Sequence, residues 1–460
     1  MKGFDEVKKH AAITDMTVGS PYKLILAFSI PLLIGNIFQQ LYNMVDSIVV
    51  GNFVGEKALA AVGTGFPVIF MLSSLFMGIG MGATVMISQF YGAKDYENIQ
   101  NTVSTIYTAL LIGSVPLAVI GVLISRPLLL LMQVPDDGTL EMATSYMIII
   151  FIGIIGSLGF NINAGILQGL GDSRSSLYFL MIATVINIVL DLFFTIVIHM
   201  GCAGVALATI IAQIVSWVLG IIYINKHYSF FRIRPFSFFF HKAIFIKAMK
   251  LGIPSGLQQA LFSVGIMVMQ TLVNSYGSNF MAGFNGANKL DTFAFMPIQS
   301  FSTAMTTYVG QNVGAGKLDR VKQGTHSGLL MSVGFSIIIA IIVLPFSAVL
   351  MRMFNQNPEV INAGVCYLRA VMPFYAIFAM MFIFNSVLRG AGEMIVPLIS
   401  SLLSLWLARV PTAYLIAHFW GKDYIYFSYA VGWVIGLAVS YFAYRSGKWK
   451  TKGITGVIPS

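Results

Sequence analysis

The sequence predicts an all-α membrane protein whose twelve transmembrane helices form two pseudo-symmetric six-helix lobes. Three observations support this prediction: the composition, the recurrence of long apolar runs and an internal repeat. Hydrophobic residues make up 57% of the 460 residues and charged residues 10%, and the mean hydropathy is +0.83. Because a water-soluble protein of this size could not bury so much apolar surface, the chain is expected to lie in a bilayer.

Apolar runs of about 20 residues or more recur along the chain, and this length crosses ~30 Å of hydrocarbon as a helix. Backbone groups in lipid must be hydrogen-bonded internally, so these runs are expected to be helices. The first six predicted spans are 22–50, 58–91, 103–124, 141–167, 176–198 and 203–224. The second six are 245–276, 282–309, 328–351, 360–388, 396–418 and 425–444.

An even number of spans places both termini on one side of the membrane, and the basic residues indicate which side. Most of the 27 Lys and Arg residues belong to loops and tails on the side of the termini. The opposite loops hold only Lys57, Arg126, Arg352 and Lys422. The positive-inside rule therefore predicts a multi-pass protein of the cell (inner or plasma) membrane with both termini in the cytoplasm.

The predicted domain organisation follows from these spans. Residues 1–20 are expected to form a cytoplasmic tail, 21–225 an N-lobe with spans 1 to 6, and 226–245 a cytoplasmic linker. Residues 246–446 form the predicted C-lobe with spans 7 to 12, and 447–460 form a second cytoplasmic tail. Because the linker region combines basic residues with several Phe residues, it is expected at the lipid headgroups.

Three landmarks recur in the same order and at nearly the same spacing in the two halves. They are Pro31 and Pro254, the segments "QFYGAK" from Gln89 and "QNVGAG" from Gln311, and the segments "LQGLGD" from Leu167 and "LRGAGE" from Leu388. Each repeat contains an even number of spans, so the halves share one orientation and are related by an axis along the membrane normal. This organisation favours a transporter over a channel, and the Gly-rich segments are expected to be tight turns.

Carboxylates inside the first-half spans are the strongest functional signal. A charge at bilayer depth costs roughly 2.5 to 3.5 kcal/mol on insertion scales, so such residues usually serve function or pair with one another. Asp46 lies toward the outer end of span 1, and Asp191 follows Asn187 on the same face of span 5. Thr209 offers a hydroxyl on span 6. Taken singly, Asp46 fits an exposed helix end and Asp191 a satisfied core acid; together, the four residues predict a site that couples transport to a cation or proton.

With these motifs the chain resembles the multidrug and toxic compound extrusion (MATE) transporters of prokaryotes, over essentially all twelve spans. The resemblance rests on the two prolines, on "VDSIVVG" around Asp46, and on the "GAK" and "LQGLGD" turns with their second-half echoes. The spacing of Asn187, Asp191 and Thr209 is also similar to the first-lobe cation site of prokaryotic members. The resemblance implies a secondary active antiporter that exports cationic or amphipathic small organic compounds in exchange for Na⁺ or H⁺. No cofactor is expected beyond the coupling ion, and Pro31 is the expected hinge.

One departure from the family pattern concerns the second lobe. Some branches carry an acidic pair on spans 7 and 10, whereas these spans here show Gln258, Gln259 and Asn385. Coupling is therefore expected in the first lobe. Lys289 and Asp291 on span 8 are two positions apart and could pair or lie on opposite faces, and a functional role is the alternative to a structural ion pair.

Met and Phe are abundant, at 25 and 36 residues, and a flexible apolar lining suits varied hydrophobic cations. The candidate cavity residues are Gln39, Asn43, Phe66, Met267, Met296 and Phe374. Each of them also fits packing in the core or contact with lipid. The expected partners are small-molecule substrates and membrane lipids, without nucleic acid, and the expected state is a monomer.

Two other functions are alternatives to export. A flippase for a lipid-linked glycan has the same lobed architecture but would need several cations inside the spans, where only Lys289, Arg369 and Arg409 occur. A membrane enzyme would need a nucleophile or metal constellation, and the six His residues show no ligand spacing. The sequence thus favours an exporter and argues against an enzyme.

Overall fold

The computed structural model describes residues 13–454, except for the side chain of Phe66. Within this range the regular elements are all helical, so the predicted fold class is confirmed. The α-helices are α1 (Pro21–Val49), α2 (Glu56–Gly92), α3 (Tyr96–Leu131), α4 (Thr139–Ile152), α5 (Ile154–Leu170), α6 (Ser173–Leu192), α7 (Gly201–His227), α8 (Lys242–Asn274), α9 (Ser278–Gly314), α10 (Leu318–Arg352), α11 (Pro358–Val371), α12 (Tyr375–Gly390), α13 (Ile395–Leu402), α14 (Val410–Phe419) and α15 (Phe427–Ser446). Three π-helical turns interrupt or extend them, at Val50–Val54, Phe193–Val197 and Leu403–Arg409.

These helices form the twelve predicted spans. Ten segments of the described chain are long and apolar enough to cross a membrane, and α4 with α5 makes an eleventh. The remaining span is α9, which has 37 residues and is roughly 55 Å long at 1.5 Å per residue. Lys289 and Asp291 within α9 lower its hydropathy.

The fourth span is bent by 53° between α4 and α5, at Gly153. A Cβ atom on Gly153 would lie 2.3 Å from the Ile210 side chain of α7. Only glycine allows α7 to approach the bend this closely.

Two spans begin much earlier than the hydropathy of the sequence predicts, by about two to three helical turns. The third begins at Tyr96 rather than at residue 103, and the ninth at Leu318 rather than at residue 328. In α3 the reason is a helix cap, because the Asp95 carboxylate accepts a hydrogen bond from the Asn98 backbone N–H at 3.1 Å. An apolar run marks the part of a helix that lies in lipid, whereas hydrogen bonding continues the helix beyond it.

The described chain divides into two compact units. Unit 1 contains the residues up to Asp15 together with Ile34–Gly256, and unit 2 contains Met16–Leu33 together with the residues from Leu257 onward. Both divisions inside helices fall just after a proline, in α1 after Pro31 and in α8 after Pro254. The lobe limits drawn from the sequence at 21–225 and 246–446 stay a prediction.

Each unit has its own packed core. In unit 1 the fully buried side chains of Met147 and Phe151 on α4 pack against Val205 on α7. In unit 2 the core is rich in tyrosine, and Tyr367 and Tyr426 meet edge to face with ring centroids 5.0 Å apart. Because lipid tails are as apolar as these side chains, close packing and hydrogen bonds rather than hydrophobicity hold membrane helices together.

In unit 1, α2 and the first half of α8 cross without side chains between them. A Cβ atom on Gly78 would lie 2.3 Å from the Gly252 carbonyl oxygen. A Cβ atom on Gly252 would lie 2.6 Å from the Ile79 Cα. Since backbone atoms cannot rotate away, this crossing requires glycine.

The "LQGLGD" segment forms the turn between α5 and α6. Gly171 ends α5 in the left-handed conformation, with φ at +91°. The buried Asp172 then caps α6 by accepting from the Ser175 N–H at 2.9 Å, and it also accepts from the Tyr228 hydroxyl at 2.6 Å. Burial and the adjacent carboxylate raise the pKa of Tyr228, which keeps this hydroxyl protonated as a donor.

The segment between α7 and α8 packs on α3 within unit 1. Gln100 on α3 accepts from the Arg232 N–H at 2.7 Å, and Thr105 accepts from the His241 N–H at 3.1 Å. The Phe236 side chain is 78% exposed. The location of this linker segment at the lipid headgroups stays a prediction.

Candidate functional site

The four predicted coupling residues lie on three helices of unit 1. Asp46 is in the last turn of α1, Asn187 and Asp191 are in the second half of α6, and Thr209 is in the first half of α7. Asn187 and Asp191 have 0% exposed side chains. The i, i+4 spacing thus turns both toward the interior of the unit.

The two carboxyl groups are brought together. Asp46 and Asp191 are close enough to interact directly through their side chains. In the described part of the chain, neither acid forms a salt bridge with Lys, Arg or His. The site therefore holds two adjacent carboxyl groups without a protein cation beside them.

Hydrogen bonds to Thr209 tie the three helices together at this site. Its hydroxyl oxygen accepts from the Tyr42 hydroxyl at 3.1 Å and from the Asn187 side-chain amide at 3.4 Å. The Asn187 amide nitrogen is directed to the hydroxyl by this bond. The carbonyl oxygen of the same amide is left as an acceptor.

Four buried oxygens at the site lack a donor among the described residues: Oδ1 of Asp46, Oδ1 of Asn187, and Oδ1 and Oδ2 of Asp191. A buried polar atom without a partner is costly, and an uncompensated carboxylate costs more than a neutral amide. All four atoms are acceptors, so a positive charge satisfies them together. Oxygen donors of this kind suit a hard cation, and the paired carboxylates equally suit a proton.

Two tyrosines that the sequence analysis did not include also belong to the site. Tyr42 contacts Thr209 directly, and both Tyr42 and Tyr146 are near enough to feel the charges of Asp46 and Asp191. Tyr42 precedes Asp46 by four residues, so helical periodicity could have placed it on the same face of α1. Tyr146 on α4 has no such local signal.

A π-helical turn directly follows each acid-bearing helix segment. Val50–Val54 follows Asp46, Phe193–Val197 follows Asp191, and the two turns contact each other. Wide turns of this type occur often at functional sites because they change the direction of side chains within a helix. Here they end the two helices that carry the acids.

The residues predicted for a cargo cavity lie in both units. In unit 1, Gln39 and Asn43 are exposed on α1, whereas the Phe66 side chain lies outside those that the structure describes. In unit 2, Met267 is exposed on α8. Their role in cargo binding stays a prediction.

The two other cavity candidates of unit 2 pack inside it. Met296 is 5% exposed on α9, and Phe374 packs against the core of the unit. A role of these residues in cargo binding also stays a prediction.

Lys289 and Asp291 show the second of the two predicted arrangements, in which they do not pair. Asp291 accepts a hydrogen bond from the Tyr375 hydroxyl, and the described residues show no salt bridge between it and Lys289. Arg409 lies over the Tyr429 ring, with the guanidinium carbon 3.3 Å from the centroid. Lys289 and Asp291 are only two positions apart, so a helix directs their side chains away from each other.

A sequence model of the family described as MatE matches this chain twice, over residues 31–193 and 254–415. The chain belongs to the MatE family. The two matches begin at Pro31 and Pro254, the first landmarks of the internal repeat.

Curated relatives of this MatE protein extend over nearly the whole chain. It is 30% identical to the probable multidrug resistance protein YpnP of Bacillus subtilis over 95% of this chain and 97% of the relative. It is 26% identical to the probable multidrug resistance protein NorM of Thermotoga maritima over 94% of each chain. Multidrug efflux is thus supported at the level of the family, and the protein is a multi-pass membrane transporter rather than an enzyme.

Solved structures show the same fold. An outward-facing multidrug resistance MATE transporter of the MOP superfamily matches with a TM-score of 0.86 and 24% identity, over 95% of this chain and 98% of that one. A MATE protein in the bent conformation matches with a TM-score of 0.88 and 24% identity, over the same shares.

Proposed function

We propose that this MatE protein is a secondary active multidrug antiporter that exports cationic or amphipathic small organic compounds in exchange for Na⁺ or H⁺. The observation that carries the proposal is the cluster of unpartnered oxygens on Asp46, Asn187 and Asp191. Thr209 completes the set by holding the Asn187 amide in place. The names of the curated relatives, as probable multidrug resistance proteins, support the choice of cargo.

The coupling step uses charge neutralisation inside unit 1. A cation or proton that enters the site balances the two carboxylates and removes their mutual repulsion. The ion drives transport only if it binds the two conformations of the protein with different affinity. The three helices that meet at the site supply that difference, because a shift of α1 separates Asp46 from Asp191.

Pro31 is the proposed hinge of α1. Proline removes one backbone hydrogen bond and permits a kink in the helix. Support comes from the division between the units, which falls inside α1 just after this residue. Bending there would move the Asp46 end of α1 relative to α6 and α7.

The proposed orientation has both termini in the cytoplasm of the cell. It rests on the positive-inside rule, since the loops on the opposite side hold only four basic residues, Lys57, Arg126, Arg352 and Lys422. Cysteine labelling of single-Cys variants in intact cells tests it. Labelling of a Cys at Arg352 but not at Arg445 by an impermeant reagent is the expected result, and the reverse pattern would contradict it.

Transport by proteoliposomes tests the function. The purified protein is reconstituted, and export of ethidium is driven separately by a Na⁺ gradient and by a pH gradient. We expect one gradient to drive export, and we expect Asp46→Asn and Asp191→Asn to abolish it while the protein still folds. Asp319→Asn is the control, because Asp319 is exposed and pairs with the exposed Lys322 at 3.0 Å. Full export by both Asn variants would show that coupling lies elsewhere.

A further inference from the structure

A cavity of about 280 Å³ lies in unit 1 between the second half of α3 and α4. A water molecule needs roughly 10 to 15 Å³ of such space, so the cavity has room for a much larger group. Its lining includes Arg126 on α3 and, on α4, Glu141, Thr144, Ser145, Ile148 and Ile149. These α4 residues recur every three or four positions and form one stripe, which is about 12 Å long at 1.5 Å per residue. The stripe is polar at the start of α4 and apolar farther along.

The polar end of the cavity holds two opposite charges that do not pair. Arg126 and Glu141 both line it, yet neither forms a salt bridge with any residue of the described chain. By contrast, Lys57 at the start of α2 in the same unit pairs with Asp137 at 3.1 Å. Since the guanidinium and the carboxylate are too far apart for an ion pair, the space between them suits a ligand that carries both charges.

The surface of α3 around Arg126 is apolar and exposed on both sides of this residue. Leu123 before it is 69% exposed, and Leu131 after it is 77% exposed. On a membrane span, exposed leucines contact acyl chains, and a long Arg side chain among them extends its charged end to the headgroups. The cavity is therefore open to lipid at the depth where phosphates and acyl chains meet.

We propose that this cavity binds phosphatidylethanolamine, a zwitterionic phospholipid. The lipid phosphate accepts hydrogen bonds from the Arg126 guanidinium, whose planar N–H donors match phosphate oxygens. The primary ammonium donates to the Glu141 carboxylate. One acyl chain lies along Ile148 and Ile149, so the lipid bridges α3 and α4 within unit 1. Glu141 selects the headgroup, because an anionic lipid lacks the ammonium and a choline group has no N–H to donate.

Native mass spectrometry of the delipidated, detergent-purified full chain tests the proposal. Phosphatidylethanolamine and phosphatidylcholine with the same acyl chains are titrated separately. We expect the wild type to bind phosphatidylethanolamine about tenfold more tightly, because only its ammonium donates a hydrogen bond to a carboxylate. Glu141→Gln should remove this preference, and Arg126→Gln should weaken the binding of both lipids. Lys57→Gln, a change at an exposed cation outside the cavity, should bind as the wild type does.

Equal affinity of the wild type for the two lipids, or a preference that persists in Glu141→Gln, would overturn the proposal. Ile148→Trp fills the apolar part of the cavity and keeps both charges, so it should weaken the binding of both lipids. Unchanged binding by this variant, or displacement of the lipid by an equal concentration of soluble phosphoethanolamine, would overturn the assignment to a lipid.

The stability of the lipid-free protein tests whether the two charges pair with each other instead. Without lipid, the effects of Arg126→Gln and Glu141→Gln on the free energy of unfolding should add in the double variant, because residues that do not interact show no coupling. A favourable coupling between them would mean that the two side chains form an ion pair across the cavity, and it would overturn the proposal.

Discussion

Asp191→Asn is the most informative single change, because it removes a charge from the proposed coupling site and keeps the size of the side chain. Asp191 is 0% exposed, and both of its carboxylate oxygens lack a donor among residues 13–454. The Asn amide keeps the size of the side chain and adds an N–H donor beside Asp46, whose Oδ1 is also unpartnered. A hydrogen bond to a charged group contributes about 1.5 to 3 kcal/mol. We therefore expect the variant to be more stable than the wild type by about 2 kcal/mol in cation-free detergent.

The response to the coupling ion should change in the opposite direction. An ion at 100 times its dissociation constant stabilises the folded protein by about 2.7 kcal/mol when it binds only that state. The wild type should show this gain in a titration with Na⁺ or with acid, whichever ion couples. Asp191→Asn should show almost none of it and should not export ethidium.

Unfolding of the purified protein by denaturant, monitored by intrinsic fluorescence, measures both effects. Asp319→Asn serves as the control, because an exposed ion pair contributes little. The reasoning is refuted if Asp191→Asn is less stable than the wild type without cation and still responds to the ion as the wild type does. That outcome would mean that Asp191 is a satisfied core acid.

Three other changes test the packing of unit 1. Thr209→Val should lower the free energy of unfolding by about 1 to 3 kcal/mol, because two donors lose their acceptor, and Thr209→Ser should restore most of it. Gly78→Ala should prevent folding, as judged by size-exclusion chromatography, whereas Gly63→Ala should not, since nothing lies within 4 Å of a Cβ there. Tyr228→Phe should cost about 1 to 3 kcal/mol by leaving a buried oxygen of Asp172 without its donor. An unfolding curve equal to that of the wild type would contradict the first and third predictions, and folded Gly78→Ala the second.

Much of the fold follows from the sequence because the bilayer allows so few structures. Long apolar runs must be helices, which is why the span count and the all-α class could be predicted. The helix ends could not be predicted from hydropathy, since Asp95 extends α3 by capping it. The bend at Gly153 depends on the approach of Ile210 from another helix, and no local pattern records such a contact.

Part of the candidate site could also be predicted from the sequence. Asn187 and Asp191 share a face by periodicity, so one side of the site could be placed from spacing alone. The meeting of Asp46 with Asp191 depends on how α1 packs on α6, and it could be predicted only because acids at bilayer depth usually serve function or pair with one another. Tyr146 comes from a fourth helix and needed coordinates.

The π turn at Phe193–Val197 has a consequence for how this sequence can vary in length. A π turn holds one residue more than an α-helical turn. Deletion of one residue within this segment would produce an ordinary α-helix, in which the side chains before and after the segment keep their directions. The same deletion elsewhere in α6 would rotate everything beyond it by about 100°. We therefore expect α6 to tolerate a one-residue deletion just past Asp191 better than a deletion before it.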